Sequence, residues 1–205
     1  MKKYLSLFLM IMSLFVLAAC GNTDSADEAA PETTAAPIQI AQATPAEDAN
    51  DLIVYFSWSG NTRAAAEEIQ RQTGADIFEI VPEIPYTDNY DEMLDTAQNE
   101  QSENVRPAIA DAIDNFDGYS TVFVGYPIWW GDMPMIMYSF FDDYDFSGKT
   151  IIPFVTSGGS GFSGTIDEIK SMEPGAEITE GLSLRGDDAE NSANEISEWI
   201  KKVRR

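Results

Sequence analysis

The chain has 205 residues, 35 Asp+Glu against 12 Lys+Arg, and a formal charge of −23. Such a balance repels nucleic-acid phosphates. With no His and a single Cys, the chain cannot build Ser-His-Asp or Cys-His catalysis, an imidazole-ligated haem or zinc, an internal disulfide, a Cys-ligated iron–sulfur cluster or a CxxC redox pair.

Residues 1–19 read as a signal segment: Lys2 and Lys3, then an apolar run from Leu5 to Leu17. It ends Leu17-Ala18-Ala19-Cys20-Gly21, which resembles a bacterial lipobox with Cys20 as the lipidated first residue of the mature protein. A short membrane anchor with an incidental Cys is the competing reading, but the run is short for the ~20 residues of a span. Cleavage before Cys20 removes Lys2, Lys3 and no acid, which takes the charge to −25. The expected location is extracytoplasmic, lipid-anchored to the bacterial cell membrane. Residues 20–50 then read as Cys20 plus a tether. From 21 to 50 there are three prolines, six acids and no Lys or Arg. Such a segment buries too little apolar surface to offset its ordering entropy and spans on the order of 30 Å.

From Asp51 the pattern alternates. Leu52 to Phe56 is a short apolar run of the kind a buried parallel strand shows. Ala65, Ala66, Ile69 and Thr73 mark a helix stopped by Gly74. Ile77 to Val81 is a second strand. Val105, Ile109, Ala112, Ile113 and Phe116 stand at helical spacing before Gly118. Thr121 to Val124 is a third strand, and Met133, Ile136, Met137, Phe140 and Phe141 a third helical face. Thr150 to Val155 is a fourth strand, in which Pro153 predicts a local irregularity. Thr165 to Glu168 has capping-box form and opens a short helix through Ile166 and Ile169. Ile178 to Leu184 is a weaker edge strand, and Ile196, Trp199, Ile200 and Val203 give the last helix. Five βα units predict an α/β fold over residues 51–205, a parallel sheet with helices on both faces.

Ligands of such sheets bind at the carboxyl ends of the strands. The loop after the first strand, Ser57-Trp58-Ser59-Gly60-Asn61-Thr62, surrounds a helix start with hydroxyls, an amide and a glycine. It suits an anion, and equally an ordinary capped helix. It has no Lys and is not a P-loop. The loop after the third strand, Pro127-Ile128-Trp129-Trp130-Gly131, offers indole faces to a flat aromatic ligand, or forms a hydrophobic corner. The loop after the fourth, Thr156 to Gly164, carries four glycines that let backbone approach a ligand. Its GxGxxG spacing follows the wrong strand for a dinucleotide fingerprint. Together the loops describe a phosphorylated planar ligand.

On these three loops, on Pro85-Tyr86-Thr87-Asp88-Asn89-Tyr90 and on Pro153, the region from Asp51 onward resembles the flavodoxins, in particular their short-chain, bacterial flavodoxin-like lipoproteins. The resemblance implies a three-layer α/β/α sandwich with five strands in order 2-1-3-4-5, non-covalently bound FMN and electron transfer. It implies that Ser57, Ser59, Gly60, Asn61 and Thr62 hold the phosphate. Pro127 and Ile128 belong to the cofactor site, Trp129 or Trp130 covers the isoalloxazine, and the carbonyl of the Gly131 peptide can turn toward flavin N5. Thr156, Ser157, Gly158 and Gly159 meet the pyrimidine edge, with Phe162 as a second aromatic. Trp129 is the expected stacker, and the other indole is expected to pack on the Met133–Phe141 helix. No catalytic side chain and no metal ligand is assigned. Two departures, the missing tyrosine of the glycine loop and the lipid anchor, leave room for direct substrate reduction. An apolar slot in an acidic protein disfavours the charge of reduced flavin and lowers the last electron step's potential. Redox partner proteins or small electron donors and acceptors are the implied partners, with Asp88, Asp91, Glu92, Asp95, Asp142, Asp143 and Asp145 able to dock basic ones. The alternatives are a flavodoxin-fold module holding another phosphate ligand or none, and an unrelated carboxylate hydrolase.

Overall fold

A computed structural model describes residues 51–204. The signal segment, Cys20 and the tether lie outside the described residues. Among the described residues no helix is long and apolar enough to cross a membrane.

Among the described residues six strands form one parallel sheet: β1 (Asp51–Tyr55), β2 (Asp76–Glu79), β3 (Thr121–Pro127), β4 (Thr150–Ser157), β5 (Glu177–Ile178) and β6 (Leu182–Arg185). Their order is β2-β1-β3-β4-β5, the expected 2-1-3-4-5, with β6 as an extra that also pairs with β4. Alternate residues divide the core. Ile53, Tyr55, Phe123, Ile152 and Phe154 pack on one face with Ala65, Ala66 and Ile69 of α1 (Asn61–Thr73) and Ile196, Trp199 and Ile200 of α5 (Ala193–Val203). Leu52, Val54, Val122, Val124, Ile151 and Val155 pack on the other with α3 (Met135–Asp143) and Ile169 of α4 (Thr165–Met172). Gly125 of β3 lets the Phe154 ring cross it: a Cβ there would stand 2.1 Å from Phe154 Cζ.

Four expectations change. The helix expected over 105–116 is absent. Its place is taken by irregular chain bridged to Pro82 at Ile109 and closed by a 3₁₀ turn, Phe116–Gly118. Pro107 disfavours a helix there, and Ile113 and Phe116 reach the core without one. The helix of this region is α2 (Tyr90–Glu103), ended by left-handed Asn104. Only Met93 and Ala97 of it are buried, so it shows little apolar period. Its sequence signal is the Asn89-x-x-Glu92 cap, where Asn89 Oδ1 accepts from the Glu92 N–H at 3.1 Å.

Pro153 sits inside an unbroken β4, opposite Val124. Thr150 N–H and Thr156 C=O both bond toward the β3 side, so alternation turns Pro153 to the opposite edge. There β5 has ended at Ile178 and β6 has not begun. The irregularity falls on the neighbour: the expected single fifth strand is two short ones. The capping box at Thr165 does not form, because Gly164 is the cap. Thr165 Oγ1 instead donates to Phe162 O and receives the Tyr126 hydroxyl.

Candidate functional site

The loops after β1, β3 and β4 meet at the carboxyl end of the sheet. Gly60 is left-handed at φ 92°, which turns the chain sharply from β1 into α1. Ser57 Oγ accepts the Gly60 N–H at 3.2 Å and fixes the loop. No side chain caps α1, so the N–H groups of its first turn remain for a ligand. Thr62 and Thr156 are buried and their hydroxyls bond each other at 2.8 Å, tying the first loop to β4. Each hydroxyl has one proton, so the accepting partner keeps its own to donate.

The loop after β3 closes through paired backbone bonds between Trp129 and Asp132, 2.8 and 2.9 Å. Trp130 and Gly131 both have positive φ, 50° and 81°. The left-handed conformation costs a tryptophan roughly 1–2 kcal/mol, held here by the loop's own bonds. Trp130 Nε1 donates to Leu94 O of α2, and the residue is 52 % exposed. It therefore does not pack on α3 as expected. Trp129 is half-buried and edge-on to Phe56 (5.4 Å) and Tyr86 (5.7 Å). Behind it Tyr86 donates to Glu100 at 3.0 Å. Burial pushes both groups' pKa up, making each a weaker acid, with the Glu100 charge adding to the shift of Tyr86.

Two adjoining cavities result. One of about 340 Å³ is lined by Ser59, Asn61, Pro127, Ile128, Trp129, Thr156, Ser157 and Gly158, and by Tyr90 and the Arg185–Asp187 segment. The other, about 520 Å³, shares Ser59, Tyr90, Ile128 and Trp129 and adds Trp58, Met93, Leu94, Ala97 and Trp130. Both fall in the ~300–1,000 Å³ range of small-ligand sites. Of the residues singled out from the sequence, Ser57, Gly60, Thr62, Gly131, Gly159 and Phe162 line neither cavity. The Phe162 ring lies against Gly181, whose added Cβ would meet it at 2.3 Å. That contact places the ring beside the gap between β5 and β6. Sequence reasoning missed Trp58, Tyr90 and its helix, and Arg185. Tyr90 ends the Pro85–Tyr90 stretch already singled out. Arg185 ends a strand, where the carboxyl-end rule applies to it as to the other loops.

A family model described as flavodoxin matches residues 50–203. The chain belongs to the flavodoxin family. It is similar to a crystal structure of a candidate flavoprotein from Bacteroides eggerthii, 32% identical, covering 76% of this chain and 98% of that one, with a TM-score of 0.67. A candidate flavoprotein from Bacteroides uniformis is 33% identical over 74% of this chain and 97% of that one, TM-score 0.66. A Lactobacillus acidophilus flavoprotein crystallised in complex with FMN is 25% identical over 72% of this chain and 97% of that one, TM-score 0.56. The curated proteins contain no match. The three loops meet at the sheet's carboxyl end, where open parallel sheets of this kind bind their ligands.

Proposed function

We propose that the protein binds FMN in this cleft and carries electrons through it while held at a membrane surface by a lipid on Cys20. The observation that carries the reading is the shared cavity. It brings an uncapped helix start, an indole and a glycine backbone within the span of one ligand. The residues fit the group. Ser59, Asn61, the first-turn N–H groups of α1 and the spare proton of the Thr62–Thr156 pair hold the phosphate. Ser57 and Gly60 shape that loop. Pro127, Ile128 and Trp129 wall the ring, and Thr156, Ser157 and Gly158 meet its polar edge, where Gly158 leaves open space within 4 Å of a built Cβ. Bound FMN supplies one- and two-electron redox chemistry. The apolar Trp129 wall excludes water and offers no solvation to added negative charge, which lowers the potential.

Asp88, Asp91, Glu92 and Asp95 are exposed around the start of α2, next to Tyr90 of the cleft. They steer a basic redox partner toward the cleft. The lipobox-like ending at Cys20 and the acidic stretch after it support the anchor. The test has two parts. Reductive titration of the flavin-loaded protein should show a reversible couple below that of free FMN. Cys20→Ala should leave the membrane fraction; a variant that stays there refutes the lipid anchor.

A further inference from the structure

We infer that Arg185 binds the phosphate of the flavin, an inference that rests on the FMN reading above. The loop after β1 has no Lys, and its own cation is committed elsewhere: Arg63 is held by Glu79 of β2. The fold brings another from far along the chain. β6 runs parallel to β4 with Arg185 opposite Ser157, so Arg185 leaves the sheet level with the glycine loop. Gly186 then abuts the loop after β1, where an added Cβ would stand 2.8 Å from Asn61 Nδ2. On the other side a Cβ at Gly159 would stand 3.2 Å from Arg185 Nη1. The guanidinium therefore lies beside the glycine loop, the next residue abuts the loop after β1, and Arg185 lines the same cavity as Ser59, Asn61 and Gly158. Among the described residues it is the only cation lining either of the two cavities.

Its ion pair leaves it available. Asp188 is 3.8 Å away, and both side chains are more than 60 % exposed, at 63% and 69%; such pairs contribute little. Asp187 lines the same cavity. Without Arg185, that carboxylate would be the one charged side chain left lining the cavity among the described residues, in a chain of charge −23. The planar fork of a guanidinium matches phosphate oxygens in bidentate geometry.

The experiment titrates the full-length protein with FMN and, separately, with riboflavin, which has the same ring and no phosphate. Flavin fluorescence gives both affinities. Arg185→Gln should weaken FMN about tenfold at low salt, with the difference shrinking as salt rises, and leave riboflavin unchanged. Arg185→Lys should recover part of the loss. Asp188→Asn should change FMN affinity little, because the exposed pair already leaves the guanidinium available; a large change would mean that Asp188 controls Arg185 and would overturn that premise. Equal loss for both flavins would put Arg185 on the ring and overturn the inference, as would unchanged FMN binding. A wild-type chain that binds neither flavin overturns the FMN reading itself, and this inference with it.

Discussion

Replacing Trp129 with Ala separates the two jobs that its position implies. The indole is edge-on to Phe56 at 5.4 Å and to Tyr86 at 5.7 Å, and it also lines both cavities. Each aromatic contact contributes about 0.5–1.5 kcal/mol. With the lost burial, the cost is about 3 kcal/mol, the low end for a Trp→Ala change because the ring is half-buried. For a domain of this size that lowers Tm by about 6–12 °C. The apolar face also vanishes from the flavin slot, and water replaces it. If that solvation favours the reduced form by about 1.4 kcal/mol, the two-electron potential rises by about 30 mV. Trp129→Phe should recover most of both effects. Trp130→Ala should do little to stability, since it loses one exposed hydrogen bond to Leu94 O. Thermal melts and spectroelectrochemistry on the three variants decide the matter. A potential shift in the Trp130 variant alone would put the flavin on the exposed indole. No shift in any of them would remove the ring from this loop.

Three further outcomes are expected. Ser59→Ala with Thr62→Ala should weaken FMN binding, each lost hydroxyl removing a charge-assisted bond of about 1.5–3 kcal/mol; unchanged affinity in a fluorescence titration would show that the phosphate lies elsewhere. Gly125→Ala drives a methyl into the Phe154 ring, an overpacking that should cost about 1–3 kcal/mol in denaturant unfolding; a neutral variant would mean that the ring moves freely. Burial and the charges of Asp145 and Asp142 push Glu173 up to about 7. The folded chain then holds a proton that the unfolded chain releases near pH 4.5. Stability should therefore fall as pH rises from about 4.5 to 7, by about 1 kcal/mol after solvent screening. Glu173→Gln should remove that slope and be more stable than wild type at pH 8, which urea melts across the range can read.

The strands were legible because each is a short apolar run bounded by turns, and a sheet buried on both faces leaves that mark. Leu52–Phe56, Thr121–Val124 and Thr150–Val155 all lie in or against observed strands. The three candidate loops followed from strand order, since their residues sit at the carboxyl ends of β1, β3 and β4. α2 was not legible from periodicity: Met93 and Ala97 alone are buried, and the rest of the helix is half-buried or exposed. The residues 105–116 misled for the opposite reason. Helical spacing of Ile109, Ile113 and Phe116 is met by an irregular path across the core edge, and only Pro107 argued against a helix. Arg185 needed tertiary structure. Gly159 beside it and Asn61 beside the following Gly186 come from two other loops, and no local pattern ties them together.

The central claim is that the cleft at the ends of β1, β3 and β4 holds one FMN. Titrating the purified full-length protein with FMN, following flavin fluorescence and visible absorbance, tests it most directly. The account expects quenching that saturates at one FMN per chain, a perturbed flavin spectrum, and loss of both in the Ser59→Ala, Thr62→Ala variant. Fluorescence and spectrum that stay those of free FMN at every protein concentration would contradict it.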